Sequence, residues 1–168
     1  MSILFGKIRS LHDRVFGLAS YARSPFLLFM RIYWGWQLWQ SGWGKLHNLN
    51  KVTEFFTSLN LPTPGKMALF IACVEFFGGI FFALGAFSRM TSLVLTVNLS
   101  MAYILADREA LFSVFSDPDK FTAAAPFNFL VASLLILIFG AGKLSVDSAA
   151  NYVLQHPEAK QVERSVIV

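Results

Sequence analysis

Between Lys120 and Lys143 the chain runs for 22 residues without a charge, and three more intervals of this kind punctuate it. Arg89 to Asp107 encloses 17 uncharged residues, Lys66 to Arg89 encloses 22 with only Glu75 charged, and Arg23 to Lys45 encloses 21 with only Arg31 charged. A helix crossing the hydrocarbon of a bilayer needs about 20 apolar residues, and roughly 17 is the lower limit. Four such intervals predict an all-α integral membrane protein, a four-transmembrane-helix bundle with spans near 24–44, 67–87, 90–106 and 126–142. Composition agrees, because only 14% of the 168 residues are charged and 55% are apolar, 18 of them phenylalanine. Soluble chains carry about 25% charge.

The ends of these intervals carry helix punctuation. Pro25 and Pro126 are expected in first turns, where a missing N–H costs little. Gly44, Gly85 and the Gly140-Ala141-Gly142 run are expected to close helices. Phe87-Ser88-Arg89 alone joins the second and third spans, which predicts an antiparallel hairpin. Residues 46–65 hold a short amphipathic stretch and then the turn cluster Leu61-Pro62-Thr63-Pro64-Gly65. Residues 107–125 form a long third loop rich in acids, and one short helix is expected after Lys143.

The chain therefore divides into an N-terminal segment (1–23), a four-helix membrane domain (24–147) and a C-terminal tail (148–168). In the first segment, Leu4, Ile8, Leu11, Val15 and Leu18 recur at helical spacing, with Lys7, Arg9, Asp13 and Arg14 between them. A secretion signal would present a continuous apolar run instead. The pattern predicts an amphipathic helix lying in the membrane interface, with a frayed basic tail as the alternative. With both termini in the cytoplasm, eight Lys and Arg face inward (Lys7, Arg9, Arg14, Arg23, Arg89, Lys143, Lys160, Arg164) and five outward (Lys45, Lys51, Lys66, Arg108, Lys120). That balance predicts a multi-pass membrane protein with cytoplasmic N- and C-termini.

The same counts exclude several chemistries. One cysteine, Cys73, forbids an internal disulfide, a CxxC pair and a thiolate cluster. His12, His47 and His156 lie outside the spans, which argues against a haem held between membrane helices. No GxGxxG or GxxxxGK[ST] is present, so a nucleotide site has no support. The net charge of +4 is modest, and its bases do not interleave with aromatics as in a nucleic-acid surface. No metal or covalently held cofactor is expected. A quinone is the one cofactor the sequence admits.

Arg31 and Glu75 are the two charges deep in the spans. Each costs about 2.5–3.5 kcal/mol in a membrane helix and must face the bundle interior. At 100° per residue, Ala68, Ile71, Ala72, Glu75, Gly79, Phe82 and Ala86 share one mostly small face, opposite Phe70, Phe77, Phe81 and Leu84. Arg31, Gly35, Leu38, Gly42 and Lys45 share another. The expectation is an Arg31–Glu75 contact, either an ion pair docking two helices or a polar site for a proton, an anion or a quinone headgroup. Trp36, Trp39 and Trp43 fall on a separate face. With Gln40 and Lys45 they form a candidate quinone site, the alternative being an interfacial tryptophan belt.

These residues, in this order, resemble the DoxX family of small bacterial four-helix membrane proteins. Leu28-Phe29-Met30-Arg31 leads to Gly42-Trp43-Gly44-Lys45, and Val74-Glu75-Phe76-Phe77-Gly78-Gly79 leads to Leu84-Gly85-Ala86-Phe87-Ser88-Arg89. Gly140-Ala141-Gly142-Lys143-Leu144-Ser145-Val146-Asp147 is similar to the family's G-x-G-[RK]-x-S-x-D ending, so the likeness spans residues 25 to 147. By position, Arg31, Lys45, Glu75, Arg89 and Asp147 are the matching polar residues, and no catalytic role transfers onto them. The resemblance implies a membrane subunit linked to thiosulfate:quinone oxidoreduction, or a membrane partner in redox and thiol-stress complexes. The expected function is an integral subunit or anchor of an oxidoreductase complex, quinone-linked, with electrons carried by its protein partners. The alternative is a non-redox scaffold, or a small-solute conduit built around Arg31 and Glu75. Lipid, partner proteins and further copies of the chain are the expected partners; nucleic acid is not.

Overall fold

The computed structural model describes residues 2–155, with side chains from Tyr21 onward. The amphipathic pattern expected over residues 1–23 therefore lies largely outside the described side chains, and the tail beyond Gln155 lies outside the described residues. Every regular element among the described residues is helical. They are α1 (Ser2–His47), α2 (Leu49–Ser58), α3 (Pro64–Leu84), α4 (Ser88–Leu105), α5 (Arg108–Phe112), α6 (Pro118–Ala123), α7 (Ala125–Phe139) and α8 (Val146–Gln155).

The local signals and the helices agree at most ends. Gly85 closes α3 at φ +67°, and its N–H with that of the next residue satisfies the last carbonyls of the helix. Pro126 falls in the first turn of α7, and Gly140 ends that helix at φ +75°. Pro64 opens α3, three residues before the expected span, because a proline at the first helical position gives up a hydrogen bond the helix lacks there anyway. The amphipathic stretch before the turn cluster is α2, the acidic loop contains α5 and α6, and the helix after Lys143 is α8.

Two expectations for the first helix do not hold. Pro25 lies inside α1 rather than in a first turn, since the helix runs unbroken from Ser2. Gly44 does not end it either; α1 continues to His47, whose ring nitrogen lies 2.9 Å from the Trp43 carbonyl. Proline removes one ladder hydrogen bond but leaves φ helical, so a long helix tolerates it at the cost of that bond.

The most extensive packing is α1 against α3, followed by α4 against α7, with α2 also lying on α3. Gly42 abuts the backbone of Glu75 and Phe76, Gly79 abuts Trp39 and Gly35, and Gly35 abuts Ala83. Residue numbers rise along one helix as they fall along the other, so the pair is antiparallel. The face of α3 expected inside is buried at Ala68, Ala72, Glu75, Gly79 and Phe82. The core joins Leu27, Leu38, Phe82, Leu95, Leu99, Ala132 and Ile136, with Trp34 and Phe129 packed edge to face at 5.2 Å beside it.

Large apolar side chains also cover the outside. Phe29, Ile32 and Trp36 of α1, Phe70 and Phe77 of α3, Met90 and Val97 of α4, and Ile138 of α7 are all more than half exposed. One helix among the described residues, the 21-residue α3, is by itself long and apolar enough to cross a membrane. The shorter apolar helix α7 has 15 residues.

Candidate functional site

Each of the two deep charges has its own partners, and they are not each other. Glu75, on the small face of α3, accepts a hydrogen bond from Ser41 Oγ at 2.8 Å and forms an ion pair with Lys45. Lys45 Nζ also lies 3.2 Å from Ser41 Oγ. Ser41 is one turn before Lys45 on α1, so both reach the same carboxylate. Arg31 is 1% exposed and donates through Nη2 to the carbonyl of Leu144.

The expected Arg31–Glu75 contact is therefore corrected, and helix register is the reason. Glu75 sits beside Gly42, whereas Arg31 sits beside Gly85 at the other end of α3. From Arg31 to Gly42 is 42 − 31 = 11 residues, or about 16 Å of helix. Because the two helices are antiparallel, charges at similar distances from the start of their intervals come to different levels.

A second cluster forms around Arg31. After α7, the Gly140–Asp147 segment returns across the turn between α3 and α4. The Asp147 amide donates to Gly85 O at 3.1 Å. The Asp147 carboxylate accepts from the Phe87 N–H at 2.8 Å, from the Ser88 N–H at 2.8 Å and from Ser88 Oγ at 2.6 Å. An anion thus caps the first turn of α4 from a distant part of the chain, satisfying amides the helix cannot pair itself. Burial works against that charge, but the Ser88 and Phe87 hydrogen bonds and the nearby Arg31 guanidinium together hold the Asp147 carboxyl below its ordinary range. Arg31 Nε and Nη1 are buried without a hydrogen-bond partner, so this guanidinium acts on Asp147 through charge rather than contact. Arg89, matched to the same family pattern, is exposed at the start of α4.

The aromatic face of α1 forms as a ladder. Trp36 and Trp39 have ring centroids 4.8 Å apart, Trp39 and Trp43 stack at 6.4 Å, and Phe76 of α3 lies 6.2 Å from Trp39 and 5.8 Å from Trp43. His47 extends the ladder, 4.1 Å from Trp43. Gln40 is exposed, 40° around the helix from Trp36. Lys45 is not part of this face, because it lies 200° around the helix from Trp43 and is paired with Glu75. The five candidate residues thus separate into an aromatic set with Gln40 and a lysine that belongs to the ion pair.

Sequence reasoning missed Ser41, Ser88, Phe76 and the Leu144 carbonyl. Ser41 carried a readable signal, four residues before Lys45 on the same face. The Leu144 carbonyl carried none, since a backbone acceptor has no residue type.

This geometry yields a test of the corrected pairing. The Lys45→Met and Glu75→Gln changes should be non-additive, with a coupling of about 0.5–3 kcal/mol. The low end is expected, since the Lys45 side chain is 30% exposed. The Arg31→Gln and Glu75→Gln pair should be additive within about 0.5 kcal/mol. Detergent unfolding of the three single and two double variants measures both.

No curated protein and no solved structure matches the chain. The DoxX family model matches residues 26–108, from the second half of α1 through α4. The match therefore takes in Arg31, Lys45, Glu75 and Arg89 but stops short of Asp147 and the Gly140–Asp147 ending. On that match the chain belongs to the DoxX family of membrane proteins.

Proposed function

We propose that this chain is a four-span integral membrane subunit of the bacterial inner membrane that anchors partners of an oxidoreductase complex, the partners carrying the redox centres. The four spans are α3, α4, α7 and the part of α1 near residues 24–44. Large exposed apolar residues on all four helices support this reading, since lipid favours a surface that water would not. Both termini lie on the cytoplasmic side by the Lys and Arg balance. An interfacial position for residues 1–23 requires α1 to bend near Pro25, where its ladder is already one hydrogen bond short. Reporter fusions after Ser58, Ser116 and the C-terminus should give outside, outside and inside signals. An outside signal at the C-terminus overturns the orientation.

One observation favours the anchor over the conduit. Arg31 and Glu75 are separately engaged about 16 Å apart, each joining α1 to another part of the chain. Among the described residues no hydrogen bond or ion pair links them, and one contact ties α1 to α3 while the other ties α1 to the α7–α8 connection. The Trp36–Trp39–Trp43 ladder, by contrast, is turned outward, with Trp36 and Trp43 exposed, and offers a planar apolar surface to a partner helix or a quinone ring.

Two measurements test this. Mild-detergent purification from native membranes should recover a partner bearing a flavin or metal centre, and recovery of this chain alone after cross-linking overturns the anchor reading. Trp39→Leu keeps the position apolar but removes the stacking plane. A quinone on the ladder predicts slower quinone reduction by the assembled complex with folding intact, and unchanged turnover removes the quinone.

A further inference from the structure

An open cleft of about 890 Å³ lies where the start of α4, the α7–α8 connection and the Arg23-Ser24 turn of α1 meet. Three cations line it: Arg23, Arg89 and Lys143. Its one carboxylate among the described residues, Asp147, is already occupied by the Phe87 and Ser88 donors. The described lining therefore presents positive charge without a competing free acid. Arg23 is held in place by a 2.8 Å bond to Phe139 O and by the Phe139 ring 5.5 Å from its guanidinium carbon. Among the described residues, the side chains of Arg89 and Lys143 are exposed and make no hydrogen bond or ion pair.

A second depression of about 290 Å³ opens between α3 and α4, lined almost entirely by apolar atoms. Gly78 lines it and lets Leu95 of α4 pack close against α3, since a Cβ there would meet Leu95 Cδ2 at 2.9 Å. Phe87 and Met90 line both the cleft and this groove, so the two adjoin. The groove runs along the exposed side of the α3–α4 hairpin, past Phe81 and Val94.

A basic, donor-rich mouth beside an apolar groove is complementary to one class of molecule, an anionic amphiphile. We propose that the cleft and groove together bind one anionic phospholipid, with its phosphate between Arg89 and Lys143 and one acyl chain along the α3–α4 groove. The inference rests on the membrane-spanning reading above, which places the groove against hydrocarbon and the cleft at headgroup depth. A free anion would use the mouth alone, and the apolar groove adjoining it across Phe87 and Met90 is what assigns the lipid.

Native mass spectrometry of the full chain in neutral detergent, titrated with phosphatidylglycerol, phosphatidylcholine or inorganic phosphate, tests it. Phosphatidylglycerol should bind about 10-fold or more tightly than phosphatidylcholine. Arg89→Gln with Lys143→Gln should abolish that preference, while Val94→Trp, which fills the groove, should weaken both lipids. All three positions are exposed, and unchanged elution and helicity of each variant confirm an intact fold. Equal retention of the two lipids overturns the proposal, as does a preference that survives the double substitution. Inorganic phosphate displacing the lipid at equal concentration, with Val94→Trp silent, shows a free-anion site and also overturns it. Reporter fusions judge the spans separately, so a failure here is distinguishable from a failure there.

Discussion

A leucine placed at Gly42 or at Gly79 should force α1 and α3 apart and cost more stability than any other single apolar change. A Cβ on Gly42 would lie 2.8 Å from the Glu75 carbonyl carbon and closer still to the Phe76 backbone. A Cβ on Gly79 would lie 2.7 Å from Gly35 O and also against the Trp39 backbone. The obstacle in each case is main chain, which cannot swing aside as a side chain can. Overpacking costs about 1–3 kcal/mol where side chains give way, and these sites belong at or above the upper end. The ion pair of Lys45 with Glu75 sits beside Gly42, so separation also strips α1 and α3 of their charged contact. Gly44 is the internal control, being in the same helix with no atom within 4 Å of where a methyl group would sit. Gly44→Ala should be neutral, or stabilising by up to about 1 kcal/mol, because alanine favours the helix. Thermal unfolding in detergent compares the three, and equal behaviour of Gly42→Leu and Gly44→Ala would show that the close approach does not support the bundle.

Removing the carboxylate of Asp147 has the next largest expected effect, and it carries a pH signature. Asp147→Ala leaves the Phe87 and Ser88 amides and the Ser88 hydroxyl without their acceptor. A lost helix cap costs about 0.5–2 kcal/mol, and a lost hydrogen bond to a charged group about 1.5–3 kcal/mol. Because Asp147 is only partly buried, about 2–3 kcal/mol in total is expected. The native carboxyl titrates below its ordinary value, so the unfolded chain takes up its proton at higher pH than the folded one. The Asp147 contribution is therefore fully present above the ordinary value, near pH 3.9, and is lost as pH falls through the lower native value. Stability of the native chain should fall with acidification below about pH 4, and Asp147→Asn should flatten that slope. An equal acid slope in both chains would mean that the cap does not depend on charge.

Most helix ends were legible because local backbone chemistry decides them. Gly85 and Gly140 adopt positive φ, and Pro126 takes a first turn, for reasons contained within a few residues. Pro25 shows where local chemistry gives way. The same residue type that opens α7 sits inside α1, and the ladder on both sides carries the helix across it. The inner face of α3 was legible for another reason. Small residues recur with the helical period, and Ala68, Ala72 and Gly79 are buried as that period requires.

The candidate site was legible residue by residue, but not as contacts. Arg31, Glu75, Lys45 and Asp147 all stand out as charges in or beside apolar intervals, and all four take part in the two polar clusters. Their pairing depended on the axial register of α1 against α3. That register comes from Gly35, Gly42 and Gly79 fitting opposite backbone, and one helical sequence carries no measure of it. A helical wheel did contain part of the answer for Lys45, since it already placed that lysine on the stripe with Arg31 and Gly42 and away from Trp39.

The sequence by itself determined that the chain is helical, which faces of α3 and α1 turn inward, and which family it joins, because charge spacing, helical period and motif order are properties of the linear chain. Only the tertiary structure decided that Glu75 pairs with Lys45, and that the segment after α7 folds back so that Leu144 meets Arg31 and Asp147 caps α4. Those outcomes depend on how far two helices slide before their backbones touch and where a distant segment returns, and both are set by three-dimensional packing.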